Sequence, residues 1–149
     1  MKKNKKESCS INDRITKIKT IEDAIITLCI LGISTDGDVS SKEMDSIFKI
    51  LSICPIFKDV KKSKEKYLNC IISSLVNRRR EELIDESIKV IPEKLRPTAY
   101  AWVYFALKSD KKVLNPEHKF LDEIMKHFKI PGPLAGKIKA VVEIILRNQ

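Results

Sequence analysis

Residues 21–51 read IEDAIITLCILGISTDGDVSSKEMDSIFKIL, and this stretch decides the fold class. Ile21, Ala24, Ile25, Leu28 and Leu31 recur at helical spacing, which predicts a first helix. The pattern stops near Gly32 to Ser34, and Thr35-Asp36-Gly37-Asp38 is a turn by composition. A second helix starts at Ser40 or Ser41, with Met44, Ile47, Ile50 and Leu51 inward, and Pro55 ends it.

The same periodicity continues outward from this unit. A third helix is expected from about Val60 to Asn77, with Tyr67, Leu68, Ile71, Ile72, Leu75 and Val76 on one face. A fourth covers Arg80 to Val90, with Leu83, Ile84 and Ile88 inward, and Pro92 closes it. A fifth runs from Glu93 to Ser109, burying Leu95, Ala99, Trp102, Val103, Ala106 and Leu107. Pro97 falls in its first turns, where a missing N–H costs little. A sixth spans Pro116 to Phe128, and a seventh runs from Leu134 to Arg147 with Ile138, Val141, Val142 and Ile145 inward. No period-2 run competes with these. With 4 Gly and 6 Pro in 149 residues, few breakers interrupt the pattern, and the chain reads as an all-α bundle of about seven helices. Residues 1–18 read as a polar basic tail, with a short helix near Ile11–Ile18, and 19–149 as one domain.

A shift of 74 residues aligns two segments of the chain. Leu28 falls on Trp102, Leu31 on Phe105 and Gly32 on Ala106. Asp36 falls on Asp110, Val39 on Val113 and Glu43 on Glu117. Ile47, Ile50 and Leu51 fall on Leu121, Ile124 and Met125. The repeated unit is a helix, an Asp turn, one inward Val, a Glu in the first turn of the next helix, and an apolar face. Two such units can pack about a pseudo-two-fold axis, which would bring the two Asp…Glu turns together.

Asp36-Gly37-Asp38-Val39-Ser40-Ser41-Lys42-Glu43, preceded by an apolar helix ending in small residues, resembles the motif of the tellurite-resistance TerB-like family. Asp110-Lys111-Lys112-Val113-Leu114-Asn115-Pro116-Glu117 resembles its second copy, and the likeness extends over about residues 20–147. The resemblance implies a compact α-bundle, a part in stress or metal-related resistance systems, and a shared acidic centre that binds a metal cation. The second turn departs from the family pattern. It has Lys111 where Gly is preferred, and Lys112 follows, so two ammonium groups beside Asp110 oppose a cation there.

Carboxylates at a turn and at the next helix start can share a hard cation. Oxygen donors suit Ca²⁺, Mg²⁺ or Mn²⁺ better than zinc. The set is Asp36, Asp38, Glu43, Asp110 and Glu117. The loop is not an EF-hand. With Asp36 as its first position, Ser41 stands where Gly is needed and Ile47 where the bidentate Glu is needed. A second reading of the same residues needs no metal. Ser40-Ser41-Lys42-Glu43 is a capping box, Asn115-Pro116-Glu117 is an Asn cap followed by Pro and a dipole-favoured acid, and the aspartates hold their turns. Tellurite itself is an oxyanion, so a carboxylate cluster would repel it.

The formal charge of +9 is unevenly spread. Residues 1–19 hold seven basic groups against Glu7 and Asp13; the remaining body is only mildly basic. The runs Lys58–Lys66 and Arg78-Arg79-Arg80 read as solvated helix faces, with weak binding to nucleic acid or anionic lipid as the alternative. The basic start has no apolar segment within 20 residues behind it, which reads against a signal peptide. Cys29, Cys54 and Cys70 sit among apolar residues and read, unlike Cys9, as buried reduced thiols, consistent with cytoplasm. His118 and Asp122 form a surface pair one turn apart, with His127 beyond, and make no zinc site. Tyr100 and Tyr104 share a face that could mark a groove.

The sequence thus points to a non-enzymatic binding protein of a stress-response system. It would be cytoplasmic or held peripherally at a membrane, and would work with other proteins and a divalent cation. The alternatives are a helical scaffold whose acids only cap helices, and a weak nucleic-acid or membrane-surface binder acting through its basic tail.

Overall fold

The computed structural model describes residues 17–34, 41–60, 63–108 and 115–147, with the backbone alone for residues 42 and 115. Among these residues are seven α-helices and no strand: α1 (Ile21–Ile33), α2 (Ser41–Ile53), α3 (Lys64–Leu75), α4 (Arg80–Val90), α5 (Arg96–Lys108), α6 (Asn115–Phe128) and α7 (Gly132–Leu146). Single 3-10 turns at Pro55–Phe57 and Glu93–Leu95 complete the described body.

Helix α1 starts where the Thr20 hydroxyl accepts the Asp23 N–H at 3.1 Å, a side-chain N-cap. Every residue from Ala24 to Ile33 is buried. A helix apolar all round must be enclosed by others, and α1 is: it packs against α4, α5, α2 and α6. Helix α5 is its counterpart, meeting α1, α2, α6 and α7. The α1/α5 pair is therefore the middle of the bundle, and one contiguous apolar core surrounds it.

Gly32 sits at a close approach within this core. A Cβ built there would lie 3.0 Å from the Phe120 ring and 3.3 Å from Leu107. The missing side chain lets α6 seat its Phe120 against the end of α1.

Several helix ends and faces differ from expectation. Helix α3 starts at Lys64 rather than near Val60, because the Ser63 hydroxyl caps it by accepting the Lys66 N–H at 3.2 Å. It stops at Leu75; Val76 turns extended and is 60% exposed, and Asn77 takes a left-handed φ of 67°. The fifth helix is a 3-10 turn followed by α5, with Pro97 near the helix start. Helix α6 ends on Lys129 at φ 54°, with the Ile130 N–H reaching the Met125 carbonyl at 3.0 Å, a Schellman closure.

Ile18 is expected in the polar tail but belongs to the core. It is 3% exposed, and its N–H donates to Glu86 of α4 at 3.3 Å, so the body begins before residue 19. The short helix expected near Ile11–Ile18 lies mostly outside the described residues, and Lys17 and Ile18 are not helical. Helix α7 is the main correction: Val141 and Ile145, expected inward, are 54% and 58% exposed, and only Ala135 and Val142 are buried. No helix among the described residues is long and apolar enough to cross a membrane.

Candidate functional site

The two acidic segments expected as turns fall, in sequence, between α1 and α2 and between α5 and α6. Asp36, Asp38 and Asp110 fall outside the described residues, as do Gly37, Val39, Ser40 and 111–114. The glutamates that follow are described. Glu43 stands in the first turn of α2 and Glu117 in the first turn of α6. Glu43 is 7% exposed and Glu117 2%. Both engage polar or electrostatic partners. Helices α2 and α6 each pack against both α1 and α5, so the two glutamates belong to helices seated on the same central pair.

Burial is the informative property here. Glutamate is almost never fully buried unless it is paired or ligating. A first-turn Glu that only answers the helix dipole works equally well at the surface. The donor chemistry, carboxylate oxygen, fits a hard divalent cation. Among the described residues no group of three His, Cys, Asp or Glu converges on one point. A cation site would therefore need the turn aspartates together with Glu43 and Glu117.

The end of α1, which leads into the first acidic turn, is fixed by a residue that composition alone reads as solvent-facing. Arg80, at the start of α4, donates from Nη1 to the Leu31 carbonyl at 3.0 Å. Its guanidinium lies 4.8 Å from the centre of the Phe120 ring of α6. Burial lowers its pKa, opposed by the charges of Glu123 and Glu81. One side chain thus ties the last turn of α1 to α4 and to the helix that carries Glu117.

The other two arginines of that run differ from it. Arg78 donates to Glu82 at 2.8 Å and to Glu86 at 2.5 Å, and this pairing, with the Ile18 N–H, holds the Glu86 carboxyl below its usual range. Arg79 is exposed, as expected of all three. A surface depression beside this network is lined by Lys17, Arg79, Glu82, Asp85 and Lys89, and neither Glu43 nor Glu117 reaches it.

The tyrosine groove is not present. Tyr100 is fully buried, with burial and the Asp122 charge pushing its phenol up to about 12. Tyr104 is 3% exposed and donates to Glu143 of α7 at 2.7 Å. Trp102, expected inward, is only half-buried and packs edge-on against Phe105. Tyr67 of α3 donates to Asp23 of α1 at 2.6 Å, a tie that spacing could not reveal across 44 residues. His118 and His127 are exposed, and His127 faces Glu123 at 3.8 Å. Cys29, Cys54 and Cys70 are buried thiols; burial, then the neighbouring Cys54, pushes Cys29 strongly upward. Cys9 lies outside the described residues. In the 58–66 run, Lys58 is exposed and Lys64 donates to Ser52 at 2.8 Å.

Comparison with protein-family models, with curated proteins and with solved structures gives no match to this chain.

Proposed function

We propose that the chain is a non-enzymatic TerB-like protein of a stress or tellurite-resistance system. Its acidic centre would hold a divalent cation, with Glu43 and Glu117 as inner carboxylates and Asp36, Asp38 and Asp110 supplied by the turns. Other proteins of the same system would read the cation-bound state. One observation carries this reading: two first-turn glutamates, 74 residues apart at matching places of the two sequence copies, are both buried. Capping asks for an acid at each place but does not ask for its burial. A cation would neutralise carboxylates that such a centre gathers. Lys111 and Lys112 weaken the second half, so the first turn with Asp36, Asp38 and Glu43 would dominate. Oxyanion capture is not part of the proposal, because the centre is negative.

The test is thermal melting of the full chain with Ca²⁺, Mg²⁺ or Mn²⁺ at millimolar concentration. A ligand that binds only the folded state at a hundred times its Kd adds about 2.7 kcal/mol. At about 2–4 °C per kcal/mol for a chain of this size, the melting temperature rises by roughly 5–11 °C. Glu43→Gln removes that shift. An absence of any shift with all three metals leaves capping as the whole role of these acids.

A further inference from the structure

Six large hydrophobic side chains are exposed among the described residues, and four of them lie on α7: Leu134, Val141, Ile144 and Ile145, at 38%, 54%, 58% and 58% exposure. Positions 134, 141 and 145 fall on one helix face, with Ile144 at its edge and half-buried Ile138 between that face and the core. The packing contact is made about a quarter turn round the helix by Ala135 and Val142, with α5 as the main neighbour. The apolar arc of α7 is thus about twice as wide as its packing uses.

The sequence around this helix is mostly basic. From residue 126 to 147 the chain carries Lys126, Lys129, Lys137, Lys139 and Arg147 against a single acid, Glu143. That acid is already occupied: it accepts from the Tyr104 hydroxyl at 2.7 Å and lies 4.0 Å from Lys108. Lys137 stands on the apolar face itself, between Leu134 and Val141, and is exposed. Lys139 is turned away over the Tyr104 ring at 5.9 Å.

We propose that α7 docks flat on an anionic lipid surface. Leu134, Val141, Ile144 and Ile145 enter the boundary between headgroups and acyl chains, while Lys137 and Arg147 extend to the phosphates. A helix of 15 residues, about 22 Å long, lies on a bilayer and does not cross one. The charge selects this occupant over the others. A second copy would set Lys137 of one face against the same basic helix of the other, and the N-terminal segment, with Lys2, Lys3, Lys5, Lys6 and Arg14, is basic as well. This inference is independent of the cation reading.

The test is co-sedimentation of the full chain with vesicles of phosphatidylcholine alone and of phosphatidylcholine mixed with phosphatidylglycerol. Binding is expected only with phosphatidylglycerol, weakening as salt is raised. The variant Ile144→Ser/Ile145→Ser should bind about tenfold more weakly or worse, because two inserted side chains are lost. Its circular dichroism and melting temperature should match the parent, because both positions face solvent. Retention of full binding by that variant overturns the proposal and assigns lipid attraction to the basic tail. A parent that ignores phosphatidylglycerol vesicles overturns it too, as does a parent that is dimeric by light scattering when the variant is monomeric.

Discussion

Arg80→Ala tests whether the end of α1 is held by a buried cation or only by apolar packing. The guanidinium makes one hydrogen bond to the Leu31 carbonyl and one stacking contact on Phe120. A hydrogen bond from a charged donor contributes about 1.5–3 kcal/mol, and a cation over an aromatic face about 0.5–2 kcal/mol. Half-burial of the charge costs part of this, and its loss in the alanine variant returns that part. The net destabilisation is therefore about 2–3 kcal/mol, or roughly 4–12 °C in melting temperature. Arg80→Lys should fall between parent and alanine: an ammonium can reach the carbonyl, but it lacks the planar face that stacks on Phe120. Urea unfolding followed by far-ultraviolet circular dichroism measures all three proteins, with the slope against denaturant unchanged. A loss below about 0.5 kcal/mol for Arg80→Ala would place it with ordinary surface substitutions and refute the reasoning.

Glu86→Gln removes the charge that pairs with Arg78 and receives the Ile18 N–H, and should cost about 1.5–3 kcal/mol at neutral pH. Because the folded carboxyl is held below its ordinary value, this contribution is present above the unfolded-state pKa and is lost as pH falls through the folded one. The parent should lose stability on acidification through that window more steeply than the Gln variant; parallel acid titrations would contradict the pairing. Lys129→Gly relieves a left-handed conformation that a side chain resists. It should raise stability by about 0.5–1 kcal/mol, measured in the same urea series, and a decrease would mean that the lysine side chain stabilises the α6–α7 turn.

Legibility in the sequence followed the range of the interactions. The end of α1 and both ends of α4 are legible in the sequence, because spacing and breakers are local; Pro92 acts within a turn of where it stands. The acidic residues were also legible as a pattern, since the repeat needs only alignment of the chain with itself. Their burial was not, because Glu43 and Glu117 look the same in sequence whether they face solvent or the α1/α5 pair. Arg80 looks in the sequence like part of a solvated run because its carbonyl partner is 49 residues earlier and its ring partner lies on α6. Tyr100, expected on an outer face, is buried, and Trp102, expected inward, is half-buried, since on a largely apolar helix spacing does not say which side its neighbours cover.

The sequence by itself determined an all-helical chain, the breaks between its helices and the doubled Asp…Glu pattern, since each depends on backbone preference and spacing within a few turns. Tertiary structure alone decided that α1 and α5 are central, that Arg80 locks the end of α1 to α6, and that α7 turns half of its apolar surface outward. A helix apolar on most of its circumference carries no local instruction about which side is covered. That choice is made by the volume and shape of the neighbours that reach it first, and on α7 they cover one side and leave Val141, Ile144 and Ile145 facing out.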